Sequence, residues 1–165
     1  MDQDEFTAFY RETAPALRGY IRRVSGDGQA ADDLLQESYV RFLRAKPAVD
    51  DRAAMKAYLY KTAMAAIYDR WRKQRRERLW FAWQAKTPAP SAPPAAGRGD
   101  VTRCFEKLKP RERALPWLAY VEGYAHDEIA GTLDLNEKSI KVLLFRARRN
   151  LERILRQNGL SEVQP

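Results

Sequence analysis

The stretch of sequence that decides the fold runs from Ala125 to Lys141 and reads AHDEIAGTLDLNEKSIK. Apolar side chains recur here at three- and four-residue steps, and this period predicts two short helices joined by a tight turn. Asn136 suits the N-cap of the second helix, because its side-chain oxygen can accept a hydrogen bond from a free backbone N–H. The two apolar stripes consist of Ile129, Ala130 and Leu133, and of Leu135, Ile140, Leu144 and Ala147.

The second of these helices is strongly basic outside its apolar stripe. A small residue inside the first helix, a turn of about three residues and a basic second helix are what a helix-turn-helix needs to enter a DNA major groove. An ordinary amphipathic helical hairpin with a solvated basic face shares this pattern, so the segment alone leaves both interpretations open. The basic residues are Lys138, Lys141, Arg146, Arg148 and Arg149.

The composition agrees with a nucleic-acid partner without requiring one. The 165-residue chain is 45% hydrophobic and carries a formal net charge of +8, which suits a polyanionic partner or simply a basic protein. Its length allows one domain or two small helical ones. Cys104 and His126 are the only cysteine and histidine, so no disulfide can form within the chain and a zinc site is not expected. We expect both to be structural, with Cys104 in the core beside Phe105 and Leu108.

The sequence contains no membrane-spanning or export signal that we can identify. No apolar run approaches the ~20 residues that a membrane-spanning helix needs. The first five residues, Met-Asp-Gln-Asp-Glu, are the opposite of the basic start of a signal peptide. We therefore expect a cytoplasmic protein without membrane insertion.

A compositional break divides the chain between Lys86 and Gly99. Residues 87–97 are mainly proline and alanine, have no apolar period, and cannot bury enough surface to fold by themselves. We interpret this segment as a passive, extended tether. The sequence thus predicts a domain at residues 1–84, a linker at 85–100 and a second domain at 101–160.

The N-terminal part has the apolar period of three helices. The first extends over residues 6–24, and Pro15 should start or kink a helix within it because proline lacks a backbone N–H. The Ser-Gly-Asp-Gly stretch at 25–28 ends this helix. The second helix covers residues 31–43, and the third covers residues 51–71 and continues into a basic segment.

The end of the third helix combines cations with aromatic rings. Residues 70–78 contain six basic side chains and one acid, and Trp80, Phe81 and Trp83 follow. Single-stranded nucleic acid needs this combination, because cations follow the phosphates while aromatic faces accept unstacked bases. Alternatively, the cations complement the helix dipole and the tryptophans pack in the core. Trp71 falls on the apolar stripe and is predicted to be a core residue.

Six short segments carry a family resemblance. They are ADDLLQESY at 31–39, AYLYKTAMA at 57–65 with DRWR at 69–72, LKPRER at 108–113, YVEGY at 120–124, DEIA at 127–130 and IKVLLFRAR at 140–148. Together they resemble the sigma-70 family, specifically its small extracytoplasmic function (ECF) group. Each match is short, but the segments follow the order of the family, lie on both sides of the linker and cover most of the chain.

This resemblance implies an RNA polymerase sigma factor made of two helical domains. The first domain would bind the clamp helices of core RNA polymerase and the melted −10 region of promoter DNA. The second, a helix-turn-helix domain, would bind the −35 region, and the linker would replace a middle domain. Such a protein directs polymerase to promoters without catalytic activity or a cofactor of its own. An anti-sigma factor is the expected control.

The resemblance also implies roles for individual residues. Those on the polymerase-binding helix are Asp33, Leu34, Gln36 and Glu37. Those on the helix that meets the −10 strand are Lys61, Asp69, Arg70, Arg72, Arg75 and Arg76. Those on the −35 recognition helix are Lys138, Ser139 and Lys141 near its start, within reach of base edges, and Arg146, Arg148 and Arg149 further along, facing phosphates.

The chain departs from the family pattern at five positions. Ala65 replaces an asparagine near the −10 contact, Asp134 replaces a glycine in the helix-turn-helix turn, and Pro116 interrupts a normally unbroken helix. The Val142-Leu143 pair replaces Ser-Arg, which removes one DNA contact and either exposes or buries two apolar side chains. These changes leave a second interpretation open: a degenerate sigma-like protein that acts as a protein–protein regulatory module without promoter reading.

Overall fold

The structure is a computed structural model that describes residues 1–86 and 99–160. Most of these residues lie in helices. The structure contains seven α-helices and one π-helical turn, and these two ranges contain no β-strand, which confirms the predicted all-α fold. Most of the predicted linker, residues 87–98, lies outside the described residues. The helices are α1 (Gln3–Ser25), α2 (Ala31–Ala45), α3 (Arg52–Ala85), α4 (Asp100–Glu106), α5 (Pro110–Pro116), α6 (His126–Leu133) and α7 (Glu137–Gln157), with the π-helical turn at Trp117–Val121.

α1 is a single helix that contains a proline. A capping box starts it, in which the Asp2 carboxylate accepts from the Glu5 N–H at 2.8 Å and the Asp2 N–H donates to the Glu5 carboxylate at 2.9 Å. The expectation that Pro15 starts a helix is wrong, because α1 continues through this residue. Pro15 lies on the exposed side of α1, where the carbonyl of Arg11 that it leaves without a donor can face water.

α2 and α3 complete the N-terminal half. α2 is followed by Lys46 in the left-handed conformation (φ 44°), and α3 begins after Asp51, whose carboxylate accepts from the Ala54 N–H at 3.0 Å. α3 has 34 residues and is therefore about 51 Å long. Among the described residues, Tyr68 is the last hydrophobic residue of α3 that packs against the main core. The final turns of α3 thus extend beyond the core.

α6 and α7 form the predicted helix-turn-helix, with the predicted apolar stripes facing inward. Asp134 lies in the turn in the left-handed conformation (φ 56°), which aspartate tolerates less easily than glycine. The Asn136 side chain caps α7 by accepting from the Lys138 N–H at 2.9 Å. Before this motif, α5 ends at Pro116 and the chain continues as the π-helical turn, so the predicted interruption is confirmed.

The two halves pack against each other around one main core. α6 lies against α3, and α5 lies against α1. Leu118 and Ile129 of the second half belong to the same buried cluster as the core residues of α1 to α3. At this boundary, the Tyr60 hydroxyl donates to the Glu122 carboxylate at 3.3 Å. Burial raises the pKa of Tyr60, and the negative charge of Glu122 raises it further.

A second, smaller cluster lies between α4 and α7. Cys104 is 1% exposed and packs with Leu108 and Ile154, with Phe105 beside them, so the prediction of a core cysteine is confirmed. His126 is instead exposed, as the first residue of α6. Among the described residues, we find no helix whose length and hydropathy would let it cross a membrane. Residues 1–86 and 99–160 also lack any cluster of three acidic, histidine or cysteine side chains able to hold a metal ion.

Arg113 is a buried cation near the boundary between the halves. Its side chain is fixed because Nε donates to the Leu108 carbonyl oxygen at 2.9 Å. Burial lowers the pKa of Arg113 to about 10, so the guanidinium is still protonated at neutral pH. Its Nη1 atom approaches Gly26 so closely that a Cβ at that position would collide with it.

Gly26 should therefore be intolerant of any side chain. Its φ of 69° lies in the left-handed region, which costs an L residue about 1–2 kcal/mol, and the Arg113 contact adds to this strain. We expect Gly26→Ala to lower the free energy of unfolding by about 2 kcal/mol, measured by urea denaturation. The control is Gly131→Ala in α6, where a Cβ meets no atom within 4 Å and helix propensity should improve. Equal unfolding midpoints for the two variants would contradict this prediction.

Candidate nucleic-acid interface

The exposed side of α3 carries a row of mainly charged side chains. Its members are three or four residues apart, the spacing that keeps side chains on one face of a helix. All of them are exposed, and four of the six predicted −10 residues are among them. We call this row the α3 stripe, and it consists of Lys61, Ala65, Asp69, Arg72 and Arg76.

Two members of the α3 stripe form ion pairs with other elements. Lys61 Nζ lies 3.3 Å from the Asp134 carboxylate in the helix-turn-helix turn, and the Asp69 carboxylate accepts from Arg41 at 2.9 Å. Both pairs are largely exposed to solvent, with Asp134 84% exposed. Exposed pairs contribute about 0–1 kcal/mol, so a polyanion can displace them at little cost.

Two aromatic rings on α3 support guanidinium groups. Arg72 stands over Tyr68, 5.3 Å from the ring centre, and Arg75 stands over Trp71 at 5.5 Å. Trp71 is therefore a half-buried surface residue, and the prediction that it lies in the core is wrong. The physical reason is that α3 has passed the edge of the main core at this point, so the apolar period continues where no partner helix covers it.

Arg70 differs from the other predicted −10 residues because it points toward the loop after α1. Its guanidinium donates to the Asp27 carboxylate at 3.1 Å, while Asp27 also accepts from the Ala30 N–H at 3.1 Å. Partial burial by itself would raise the pKa of Asp27, but these hydrogen bonds outweigh it and hold the pKa below its usual range. Arg70 thus ties α3 to the start of α2 and lies off the α3 stripe.

The outer face of α7 is a second cationic surface. The five predicted cations are all exposed, while Ser139 is half-buried. Lys138 and Lys141 lie within the first two turns of α7, and the three arginines lie in its third and fourth turns. Phe145 is 55% exposed between them, with the Arg149 guanidinium 5.9 Å from its ring centre.

The Val142-Leu143 pair is divided between the surface and the core. Val142 is 49% exposed on the outer face of α7, whereas Leu143 is half-buried and packs against the main core. This division follows from helix geometry, since adjacent residues point about 100° apart. Val142, and not Leu143, is therefore the member of the pair that a DNA groove would meet.

α2 presents a mixed acidic and apolar face to solvent. Three of its four predicted partner-binding residues are exposed: Asp33, Gln36 and Glu37. Leu34 is 6% exposed and belongs to the main core, so its side chain does not share this face. The reason is its register, because Leu34, Ser38 and Phe42 follow one another at four-residue steps on the buried side of α2.

Two exposed apolar residues complete this face, and neither was predicted to bind a partner, since the sequence placed Leu43 on the apolar stripe of the second helix. Val40 and Leu43 are 42% and 43% exposed. The available signal for Val40 was that it lies off the buried stripe of α2. The face is also connected to the α3 stripe, because Arg41 donates to Glu37 at 2.7 Å and to Asp69 at 2.9 Å.

Two family models match the chain in sequence order. The model described as Sigma-70 region 2 matches residues 9–77, and the model described as Sigma-70, region 4 matches residues 98–151. The ECF RNA polymerase sigma factor SigL of Mycobacterium tuberculosis is 29% identical over 160 residues, which cover 93% of this chain and 90% of SigL. The RNA polymerase sigma factor CarQ of Myxococcus xanthus is 25% identical over 166 residues, covering 98% of this chain and 94% of CarQ.

The fold is also similar to that of a solved sigma factor. The co-crystal structure of the sigma factor RpoE with the anti-sigma factor NepR from Bartonella quintana matches with a TM-score of 0.70 and 22% identity. The match covers 92% of this chain and 97% of the other. The two family matches span both halves of the chain, and the relatives cover nearly all of it. The chain therefore belongs to the sigma-70 family and is a sigma factor of its ECF group.

Proposed function

We propose that this sigma factor binds core RNA polymerase through α2 and promoter DNA through α3 and α7. Residues 1–84 act as the polymerase-binding and −10-binding domain, residues 85–100 as the linker, and residues 101–160 as the −35-binding domain. The observation that carries the proposal is the presence of three distinct surfaces: the acidic and apolar face of α2, the α3 stripe and the basic outer face of α7. Each surface suits a different partner in the same initiation complex.

The α3 stripe is suited to the melted −10 strand. Arg72 and Arg76 are exposed and one helical turn apart, about 6 Å along the axis, so they can contact successive phosphates of one strand. Lys61 lies at the other end of the stripe and becomes available when its exposed pair with Asp134 opens. Arg75 contributes from the flank of the stripe. Arg70 acts by positioning α3 through Asp27 and does not contact DNA.

The face of α2 is suited to a protein partner. In a chain of net charge +8, an exposed acidic patch at Asp33 and Glu37 would repel DNA but complement a basic protein surface. Exposed Val40 and Leu43 supply the apolar centre that protein interfaces use. Leu34 supports the face from below by anchoring α2 in the core.

The outer face of α7 is suited to the major groove of the −35 element. Lys138, Ser139 and Lys141 lie at the start of the helix, where side chains of a helix-turn-helix reach base edges. The arginines further along meet phosphates, which adds affinity without sequence preference. They are Arg146, Arg148 and Arg149.

Regulation and location follow from the same assignment. The protein has no catalytic activity and acts in the cytoplasm, where core RNA polymerase and promoter DNA are its partners. An anti-sigma factor holds it inactive until the inducing signal arrives. The similarity to RpoE, which was solved with the anti-sigma factor NepR, supports this form of control.

In vitro transcription with purified core RNA polymerase on a promoter library tests the proposal. We expect promoter-specific transcripts only when the protein is added, and the selected promoters should share a −10 and a −35 element. Stable binding to core polymerase without any promoter-specific transcript would contradict the proposal. That outcome would favour a degenerate sigma-like regulator that has lost promoter reading.

Lys141 should carry much of the −35 preference. We expect Lys141→Ala to weaken binding of the holoenzyme to a selected promoter by about 1–3 kcal/mol if Lys141 contacts a base edge, measured by fluorescence anisotropy. Val142→Arg should strengthen binding and steepen its salt dependence by about one ion, because its side chain faces the groove. Leu143→Arg should instead destabilise the fold, because it places a charge against the core.

Arg156→Ala is the matched control for the −35 prediction. Arg156 is exposed on the same helix, four turns from Lys141 and beyond the region 4 match. Its removal should leave promoter preference unchanged. If Lys141→Ala and Arg156→Ala behave alike on matched and mismatched −35 sequences, Lys141 does not read the −35 element.

A further inference from the structure

The last turns of α3 form an exposed aromatic tip. Four large apolar side chains lie between residues 79 and 83, and none of them is more than half buried. The exposed fractions are 53% for Leu79, 53% for Trp80, 61% for Phe81 and 77% for Trp83. Trp80 and Phe81 contact each other edge to face at 5.4 Å between ring centres. The alternative interpretation of this segment, in which Trp80 and Trp83 pack in the core, is therefore wrong.

This tip lies outside the match to the Sigma-70 region 2 model. The region 2 match ends at residue 77, two residues before the tip begins. A solvated helix end needs no aromatic residues, and leaving several of them exposed is unfavourable unless a partner covers them. The tip therefore calls for a function of its own.

The tip continues the α3 stripe. Arg72, Arg76, Leu79 and Trp83 follow one another at steps of four, three and four residues, so they share one face of the helix. Trp80 lies beside this row, one turn beyond Arg76. From Arg76 to Trp83 the helix rises about 10 Å, which matches about three stacked bases of a nucleic-acid strand.

The charge pattern distinguishes between classes of partner. Residues 70–78 carry six cations and one acid, while residues 79–85 carry no charge. A single strand of DNA satisfies both parts, because its phosphates neutralise the cations and its unpaired bases stack on the rings. A helical protein partner would instead favour a narrow apolar stripe, whereas Phe81 lies about 100° around the helix from Trp80 and widens the apolar surface.

We propose that Trp80 and Trp83 form a stacking platform for unpaired bases of the opened promoter, next to the phosphates held by Arg72 and Arg76. The proposal rests on the proposed −10 function of the α3 stripe and extends it to a second subsite. Phe81 supports the platform through its edge-to-face contact with Trp80. Double-stranded DNA gains nothing from this platform, because its bases are already stacked and paired.

The test measures binding of the full-length protein to a fluorescent 15-nucleotide oligo-dT strand and to a duplex of the same length. Trp80→Ala with Trp83→Ala should weaken single-strand binding at least about 5-fold, the effect of losing one stacked base. Duplex binding and the salt slope should not change, because the cations remain. Trp80→Phe with Trp83→Phe should retain most of the affinity, since a phenyl ring still stacks. Tyr120→Ala is the matched control, because Tyr120 is an aromatic residue outside the tip and is 71% exposed.

Two results would overturn the stacking platform. One is unchanged single-strand affinity in the double alanine variant. The other is a loss of affinity for core RNA polymerase in that variant with normal single-strand binding, which would make the tip a protein-docking surface. Circular dichroism establishes that the variants are folded, and the single variants Trp80→Ala and Trp83→Ala repeat the test with the same expected loss if the alanine pair is unstable.

A promoter-opening measurement on the arginine variants separates this proposal from the proposed −10 function. Arg72→Ala with Arg76→Ala tests the α3 stripe alone, and its failure to affect promoter opening would contradict the −10 assignment whatever the tryptophans do. Conversely, normal single-strand binding by the tryptophan variants together with impaired promoter opening by the arginine variants would overturn only the stacking platform.

Discussion

Replacement of Val40 by arginine should strongly weaken binding to core RNA polymerase while leaving the helical fold intact. Val40 is 42% exposed at the centre of the α2 face, between Gln36 and Leu43, so a longer side chain at this position can extend into solvent. In the proposed complex, however, it places an unpaired charge in the apolar centre of the interface. Hot-spot residues, which cluster near the centre of an interface, contribute about 2 kcal/mol or more, so we expect an affinity loss of at least about 30-fold in a surface plasmon resonance titration.

Val101→Arg provides the control for this result. Val101 is 60% exposed on α4, and the same exchange there changes charge and size equally without touching α2. Normal polymerase binding by both folded variants would remove α2 from the interface. Leu34→Ala would not serve as a test of the interface, because truncating a buried leucine side chain lowers the free energy of unfolding by about 2–5 kcal/mol by itself.

The second large effect is expected from the pair Arg72→Ala and Arg76→Ala. Both side chains are exposed on the α3 stripe, so their removal should leave folding unchanged and remove two phosphate contacts. We expect promoter opening, followed by permanganate reactivity of unpaired thymines, to fall about 10- to 100-fold. The salt dependence of binding to a pre-melted promoter should become shallower by about 1.4 ions, since each single-strand phosphate contact contributes about 0.7.

Arg22→Ala with Arg23→Ala is the matched control for charge. These two arginines are exposed in the last turn of α1, so the variant loses the same net charge away from α3. Normal opening and an unchanged salt slope in this control would assign the effect to the α3 stripe. Full promoter opening with an unchanged salt slope in the Arg72 and Arg76 variant would mean that these two arginines are solvated side chains at the helix end and do not contact DNA.

The sequence by itself determined the local structure of this protein. Helix periods, the start of α3 near Asp51, the N-cap at Asn136, the glycine stop at Gly26 and the turn at Asp134 are all local features, and the structure contains each of them. They could be predicted because a hydrogen-bonded turn involves residues at most four or five apart. The order of the segments was likewise sufficient to predict the family.

Only the tertiary structure decided which side chains are available to partners. Leu34 and Val40 both lie on α2, yet the first is 6% and the second 42% exposed, because α1 and α3 cover one side only. Arg70 is drawn to Asp27, a residue 43 positions away.

Trp71 and the aromatic tip leave the core because α3 is longer than the helices that pack on it. The contact of the two halves through Tyr60 and Glu122 joins residues 62 positions apart. The period of apolar residues indicates which side chains of a helix can be buried. Whether a given side chain is buried depends on which distant elements pack against it, and this is decided by long-range packing.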